Sequence, residues 1–403
     1  MHFPLYTVAT CGFVALAHAK NFPHTRRSGT TIPLVATEFG TVFDAPVTIG
    51  GQEFQLLVDT GSSDTYVMRN GYKCIGRDNQ PAADCLYSNK TYHVSDTYDP
   101  LPDTMFGIQY GAGLASGEMA YENVSIGGIS TAHQKIGVAN VSNPMGDKVN
   151  SGLLGLAYPA LSSAHPASHT SNKTYWFDRL VYDPLLFTLH QEGKMDPYFS
   201  IALAHTPQNT SKTFGGYLTL GGLPPVNHST FTTVPVERIR NIPTSFTSDK
   251  KSLAYWATTV RGVTYGHGNN LTTNSTSFQA FVDSGNYFSI LPAGIVDPIH
   301  ALFSSKPVWS DDLSAFTVDC SASVPEFGIT IGNQTFWHDG RDLIYQTSDG
   351  VCMSSLVSSE RVPIGDLTLN VIGVAFLKSV VAVFDFGKDE MRFAKTMKAK
   401  GGK

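Results

Sequence analysis

Short apolar stretches interrupted by polar residues run through most of the chain. Residues 42–49 alternate between the two kinds of side chain, residues 54–58 form an apolar run, and residues 116–126 continue the strand-like pattern. β-Branched residues are dense at positions 230–234 and 380–383. Glycine and proline separate these stretches at short intervals, as is typical of strands joined by turns. The pattern predicts a mostly β protein.

Helical patterns are few, and residues 180–192 and 293–303 are the main candidates. Three polar segments, at residues 162–172, 241–251 and 266–277, separate more apolar blocks and are predicted to be surface loops.

The length of 403 residues exceeds a single ordinary core, so two lobes of roughly 170 to 190 residues are expected. Their boundary is predicted near residues 222–227, where two prolines stiffen the chain. Only 15% of residues are charged and the formal net charge is −5. Since no dense patch of lysine and arginine occurs, a nucleic-acid or anionic-membrane partner is not expected.

Two short triplets each follow an apolar run. Asp59-Thr60-Gly61 follows residues 54–58, and Asp283-Ser284-Gly285 follows Phe281 and Val282. A single triplet of this kind is also found at ordinary turns. The two aspartates are 224 residues apart, a separation that suits two lobes that each contribute one acid.

A second pair of motifs follows the triplets in the same order. Gly152-Leu153-Leu154-Gly155 and Val371-Ile372-Gly373 both end an apolar pair with glycine. That glycine lies 96 residues after Asp59 in the first case and 90 residues after Asp283 in the second. We interpret the repeat as an internal duplication of one lobe.

Further blocks strengthen this interpretation. These are Ile108-Gln109-Tyr110-Gly111-Ala112-Gly113, residues 151–159, residues 216–222, Ala254-Tyr255-Trp256 and residues 376–385. Together and in this order, they resemble the pepsin-like aspartic proteases of the secreted fungal kind, from about Thr41 to Lys395. The resemblance implies a bilobed β fold with an active-site cleft between two pseudo-symmetric lobes.

The resemblance also implies roles for the triplets. Asp59 and Asp283 would activate a water molecule that hydrolyses peptide bonds, with a preference for apolar residues around the cut. Thr60 and Ser284 would hydrogen-bond across the lobes, Ser62 would support Asp59, and the catalytic support set comprises Thr60, Gly61, Ser62, Ser284, Gly285 and Asn286. Tyr110 would close over the substrate on a flap formed with Gly111, Ala112 and Gly113, with Tyr66 behind it.

Several positions depart from the family pattern. Asn286 stands where a hydroxyl residue is usual, Tyr66 replaces a tryptophan, Ser151 and Val374 replace aspartates, and Ala112 lacks a flap hydroxyl. An amide cannot reorient as a hydroxyl can. These departures motivate an alternative function, a catalytically weak or inactive pepsin-like binding or inhibitor protein.

The first nineteen residues have an apolar stretch and an Ala-His-Ala cleavage pattern, which predicts a secretory signal. The predicted organisation is a signal peptide at 1–19, a short N-terminal segment or processed leader at 20–35, an N-terminal lobe with the flap at 36–222, a C-terminal lobe at 223–398 and a polar tail at 399–403. The leader is shorter than the basic prosegment usual in the family. No membrane span is expected, since residues 371–386 are short and interrupted by charges.

Four cysteines remain if Cys11 is removed with the signal, and four allow three pairings. Proximity favours Cys74–Cys85 and Cys320–Cys352, and the resemblance implies the same pairs. Glycosylation sequons occur at Asn89, Asn123, Asn140, Asn172, Asn209, Asn227, Asn270, Asn274 and Asn333. These features predict a secreted, extracellular glycoprotein, with a vacuolar location also possible, that acts as a monomer on peptides or proteins. The thirteen histidines have no paired ligand spacing, so neither a metal nor another cofactor is expected.

Overall fold

A computed structural model describes residues 29–76, 80–83, 85–111, 113–169, 175–207, 210–240, 242, 252–363 and 367–397. The predicted signal peptide, residues 20–28 of the leader, most of segment 241–251 and the polar tail lie outside these ranges. Ala112, Asn172 and Asn209 also lie outside them.

Twenty-six strands make up about half of the described chain. They are β1 Thr30–Thr37, β2 Val42–Ile49, β3 Gln52–Asp59, β4 Thr65–Cys74, β5 Asp99–Gln109, β6 Leu114–Ile126, β7 Ile129–Ser142, β8 Gly152–Gly155, β9 Ala164–Pro166, β10 Tyr198–Leu203, β11 Lys212–Leu220, β12 Thr232–Pro235, β13 Ala257–His267, β14 Asn270–Asn274, β15 Phe278–Val282, β16 Ser289–Leu291, β17 Val308–Ser310, β18 Ala315–Thr317, β19 Glu326–Ile331, β20 Gln334–Trp337, β21 Ile344–Gln346, β22 Cys352–Ser354, β23 Leu356–Ser358, β24 Val371–Ile372, β25 Val380–Asp385 and β26 Glu390–Lys395. The mostly β prediction is confirmed.

The α-helices are short. They are α1 Leu185–Gln191, α2 Ala293–His300 and α3 Val374–Leu377. The first helix begins five residues later than predicted because Pro184, which has extended backbone angles, occupies the position before it. None of the helices in the described part of the chain has the length and apolarity that a membrane crossing requires.

The strands form three sheets. The largest has the order β12-β26-β25-β10-β11-β1-β2-β3-β8-β4-β7-β6-β5-β9. A second sheet has the order β20-β19-β13-β15-β24-β16-β23, with β14 paired to β13, and a small third sheet has the order β17-β18-β22-β21. In the largest sheet, β10 pairs with β25 from Tyr198 opposite Asp385 to Ala202 opposite Val381, so the two halves of the chain share one sheet.

The same local sheet order occurs twice. In the first half, β3 pairs in parallel with β8, β8 pairs antiparallel with β4, and β4 pairs in parallel with β7. In the second half, β15, β24, β16 and β23 follow the same sequence of parallel, antiparallel and parallel pairings. This repeat confirms the duplication that was inferred from the acid triplets and the apolar pairs ending in glycine.

Two segments predicted as surface loops have regular structure. Residues 164–166 form β9 on the edge of β5, and Ser162, Ser163 and His165 are fully buried. Residues 270–274 form β14, which pairs with β13 as an exposed hairpin. In both cases backbone pairing with a neighbouring strand provides partners that the polar composition does not reveal.

Each half contains one disulfide, Cys74–Cys85 in the first and Cys320–Cys352 in the second, as predicted. Bridges that close loops of this size stabilise a fold by about 2–4 kcal/mol. Of the seven sequon asparagines in the described ranges, five are exposed and two, Asn140 and Asn274, are half-buried.

Candidate active site

The two aspartates stand at or just after the ends of two strands. β3 ends at Asp59, and β15 ends one residue before Asp283. The apolar pairs ending in glycine lie beside them: the Leu156 amide donates to the Asp59 carbonyl at 2.8 Å, and the Asp283 amide donates to the Ile372 carbonyl at 3.0 Å. Buried main-chain pairing therefore fixes the position of each acid.

Reciprocal hydrogen bonds join the two triplets. The Thr60 amide donates to Ser284 Oγ at 3.0 Å, and the Ser284 amide donates to Thr60 Oγ1 at 2.9 Å. Each hydroxyl in turn donates to a carbonyl of the opposite half, Thr60 to Val282 at 2.9 Å and Ser284 to Val58 at 2.7 Å. All four bonds are buried, so they fix one half against the other at the aspartates.

Glycine allows the two carboxyl groups to meet. A Cβ atom on Gly61 would lie 2.6 Å from Cγ of Asp283, and one on Gly285 would lie 2.6 Å from Oδ1 of Asp59. Any side chain at either position would displace the opposite carboxyl group. The triplets therefore need glycine for close approach.

The two carboxyl groups have unequal surroundings. The Gly61 amide donates to Asp59 Oδ1 at 2.7 Å, and Ser62 Oγ donates to Asp59 Oδ2. Asp283 accepts the equivalent bond from the Gly285 amide at 2.8 Å. The Asn286 side chain, at the position equivalent to Ser62, instead donates to the Phe288 carbonyl at 3.1 Å.

Because of this difference, the pKa values of the two carboxyl groups are shifted to different extents. Burial raises the pKa of Asp59, while the bonds from Ser62 and Gly61 lower it. The pKa of Asp283 is raised well above its ordinary value by burial, by the charge of Asp59 and by a hydrogen bond with that residue. Both pKa values are raised, and that of Asp283 is raised the more strongly.

Tyr110 lies at the end of β5, and its amide donates to the Gly113 carbonyl at 2.7 Å to close the hairpin. A Cβ atom on Gly113 would lie 2.8 Å from Cβ of Asn143, whereas Gly111 has open space around it. The Tyr110 hydroxyl is buried and has no hydrogen-bond partner within the described ranges. Burial, followed by the nearby charge of Asp59, raises its pKa well above the ordinary value.

Tyr66 lies behind the hairpin in a buried cluster with Phe106 and Ile108, against which Tyr110 packs. Its hydroxyl is 3.3 Å from the hydroxyl of Tyr87, which is 3.3 Å from Ser142 Oγ. Two other residues that differ from the family pattern make structural contacts. Ser151 donates to the Lys90 carbonyl at 2.6 Å, and Val374 is fully buried in the core.

Sequence reasoning missed a polar group beside the dyad. Asp64 is fully buried and accepts hydrogen bonds from the Tyr182 hydroxyl at 2.6 Å and the Ser163 amide at 2.7 Å. Arg179 donates to Ser163 Oγ at 2.9 Å. Asp64 follows the first triplet by only three residues, but its hydrogen-bond partners are about a hundred residues away in the sequence. Sequence spacing therefore could not predict these partners.

Two cavities in the described part of the chain have no aspartate of the dyad in their lining. One of about 980 Å³ is lined by residues that include Tyr158, Phe187 and Phe386, and one of about 420 Å³ includes His205, Asp342 and Lys378. We therefore assign the site from the paired carboxyl groups. Within the described ranges, no group of three or more histidine, cysteine, aspartate or glutamate residues is arranged to hold a metal ion.

Comparisons with known proteins agree with this assignment. The family model for eukaryotic aspartyl protease matches residues 43–396. A probable aspartic-type endopeptidase of Aspergillus fumigatus is 34% identical over 378 residues, which cover 91% of this chain and 81% of the relative. Penicillopepsin-1 of Talaromyces stipitatus is 26% identical, with 87% of this chain and 77% of the relative covered.

The fold has a counterpart among solved structures. The aspartic proteinase of Irpex lacteus matches with a TM-score of 0.65 and 18% identity, over 92% of this chain and 98% of that protein. This match and the family model together confirm the predicted pepsin-like fold. The chain belongs to the eukaryotic aspartyl protease family.

Proposed function

We propose that this protein is an aspartic endopeptidase in which Asp59 and Asp283 activate a water molecule between them. The observation that carries the proposal is the close approach of the two carboxyl groups, each of which lies 2.6 Å from the Cβ position of the glycine in the opposite triplet. A charged carboxylate next to a protonated carboxyl group supplies a general base and a general acid in one site.

The proposed reaction begins when Asp59 takes a proton from the water, whose oxygen bonds to the carbonyl carbon of the scissile peptide. Asp283 gives its proton to the carbonyl oxygen, so the intermediate carries two hydroxyl groups on that carbon. When the carbon–nitrogen bond breaks, Asp59 returns its proton to the leaving nitrogen and Asp283 recovers a proton from one of the hydroxyls. The products are an amine and a carboxylic acid, and the dyad is restored.

The substrate would lie extended between the dyad and the Tyr110 hairpin. Tyr66, Phe106 and Ile108 form a buried apolar cluster behind that hairpin. Since that cluster is itself buried, the surface that a substrate side chain would meet is the half-buried ring of Tyr110, which packs on the cluster. Covering apolar surface is favourable by about 25 cal/mol per Å². These contacts support a preference for apolar residues around the cut.

We also propose that the protein acts as a secreted, glycosylated monomer. The two disulfides and the five exposed sequon asparagines support an oxidising compartment and a carbohydrate-bearing surface. A vacuolar location is the alternative, since a vacuolar aspartic protease of Candida albicans is 25% identical over 91% of this chain and 80% of its own length.

The test is cleavage of denatured haemoglobin or a quenched peptide library by the secreted protein between about pH 2.5 and 7, with and without pepstatin. We expect pepstatin-sensitive cleavage that falls by about 10²–10⁴-fold in the Asp59→Asn and Asp283→Asn variants. Asp312→Asn, which changes an exposed aspartate, is the matched control and should cleave like the unmodified protein.

Undiminished activity in Asp59→Asn would refute the proposed chemistry. If the folded, processed protein shows no cleavage at any pH, the alternative of a pepsin-like binding or inhibitor protein is favoured. That alternative has one structural observation behind it, since the Asn286 amide is bonded to the Phe288 backbone and leaves Asp283 without a side-chain donor.

A further inference from the structure

Arg179 is a half-buried cation whose hydrogen bonds use only part of its guanidinium group. Nη1 donates to the Leu161 carbonyl at 2.6 Å, the Ser162 carbonyl at 3.3 Å and Ser163 Oγ at 2.9 Å, and Nε donates to the Trp176 carbonyl at 3.3 Å. Guanidinium carries five N–H donors, and Nη2 donates to no described residue. These contacts orient the group without neutralising it.

Within the described ranges, Arg179 forms no ion pair. Among the described carboxyl groups, Asp64 acts on its charge. Asp64 takes its own hydrogen bonds from Tyr182 and Ser163 rather than from the guanidinium. Desolvating an arginine without a carboxylate in contact is costly, so an arginine held in this way suggests a use for its charge.

The hydrogen bonds of Arg179 place it beside the site, because Ser163, whose Oγ accepts from Nη1 at 2.9 Å, also donates its amide to Asp64 at 2.7 Å, three residues after the first triplet. Its charge acts on Tyr255 and Tyr110, as well as on Asp64. Tyr110 is the flap tyrosine and is influenced by Asp59, while Tyr255 belongs to the second half and is influenced by both Asp283 and Asp59. Because the pKa of each tyrosine is raised, both hydroxyls stay neutral and cannot balance the guanidinium.

The backbone connects the same elements. The Leu156 and Ala157 amides donate to carbonyls of the first triplet region, and the Tyr158 amide donates to the Ala254 carbonyl at 3.2 Å. The segment that leads from the dyad to Tyr255 therefore continues directly into the carbonyls that hold Arg179. The Gly107 amide of the flap strand donates to the Ser163 carbonyl at 3.0 Å, which ties the flap to the same turn.

We propose that Arg179 makes the cleft select peptides with a glutamate or aspartate close to the scissile bond, on the side where the flap strand is bonded to Ser163. This inference rests on the proposed peptidase function. The carboxylate of the substrate would accept hydrogen bonds from the guanidinium and supply the ion pair that the described residues do not. Asp64 and the dyad are acidic and would repel an acidic substrate residue. Among the groups described above, Arg179 alone would favour glutamate or aspartate.

The experiment uses quenched peptides with one apolar pair at the cut and either glutamate or glutamine at each of the two positions on either side. The secreted, processed protein should show, at one position, a kcat/KM about fivefold higher for glutamate than for glutamine at about pH 5.5. The ratio should fall towards one below about pH 4, where the substrate carboxylate is protonated. It should also fall as salt is raised.

Three variants separate charge from scaffolding. Arg179→Gln should lose the preference and Arg179→Lys should keep part of it, because lysine keeps the charge but not the planar fork. Arg261→Gln, which removes an exposed arginine that contacts Asn333 at 3.4 Å, should leave the ratio unchanged. If Arg179→Gln fails to fold, the Arg179→Lys ratio and the salt dependence of the unmodified protein still decide the question.

Cleavage of both peptides without discrimination at any position overturns the role of Arg179 and leaves the peptidase function standing. An unchanged ratio in folded Arg179→Gln does the same. Absence of all cleavage, with Asp59→Asn indistinguishable from the unmodified protein, overturns the peptidase function and this inference with it.

Discussion

Replacing Ser284 with alanine should destabilise the protein and slow it at the same time. Ser284 Oγ accepts from the Thr60 amide at 3.0 Å and donates to the Val58 carbonyl at 2.7 Å, and the residue is 1% exposed. Orphaning a buried amide costs about 1–3 kcal/mol, and losing the second bond costs about 0.5–1.5 kcal/mol. We therefore expect a loss of about 2–4 kcal/mol in the free energy of unfolding.

The same bonds hold the two aspartates in register, so a shift of their positions should lower kcat by about 10- to 100-fold. Denaturant unfolding followed by tryptophan fluorescence, together with steady-state kinetics, measures both effects. Ser284→Thr should behave more like the unmodified protein because it keeps the hydroxyl that Thr60 provides in the other triplet. Ser304→Ala is the surface control; it removes an exposed acceptor of the Ser323 amide and should cost less than about 0.5 kcal/mol.

A Ser284→Ala variant within about 0.5 kcal/mol of the unmodified protein, with normal kcat, would refute the reasoning. That result would mean that the packing of the two halves positions the triplets, and that the hydrogen bonds between the triplets do not determine how the halves pack.

Asn286→Ser should move the alkaline limb of the kcat/KM profile to lower pH. A hydroxyl donor at this position would stabilise the Asp283 carboxylate and so lower the pKa of Asp283, which is now raised. An alkaline limb at an unchanged pH would contradict this. Asp44→Asn should reduce the loss of stability as pH rises. Asp44 is fully buried beside Asp147, and its pKa is raised well above 3.8. The stability that protonated Asp44 contributes is therefore fully present below about pH 3.8 and is lost as pH rises through the folded-state pKa. Melting temperatures from about pH 4 to 7 measure this, and an unchanged slope would exclude Asp44 as the source.

Much of the fold was predictable because its motifs repeat. The two acid triplets and the apolar pairs ending in glycine predicted duplicated sheets, and the structure has the same order of strand pairing in both halves. The strand at residues 42–49 matched its predicted limits because alternation is a local property.

The parts that could not be predicted depend on distant partners. The segment at residues 162–166 is polar, but it is buried because Ser163 bonds to Asp64 and His165 Nε2 lies 2.8 Å from the Gly107 carbonyl. Asn286 was recognised as unusual, yet the direction of its side chain is set by the Phe288 carbonyl. Arg179 has no local pattern around it, so its hydrogen bonds to residues 161–163 follow only from tertiary packing.

The pairing of β10 with β25 has a consequence for how the molecule loses its structure. The lobe boundary predicted near residues 222–227 falls between β11 and β12, and both strands belong to the same sheet. Detaching one half would break the backbone ladder from Tyr198–Asp385 to Ala202–Val381 and expose its apolar residues to water. The two halves should therefore melt as one cooperative unit, and damage far from the cleft in either half would disable both acids together.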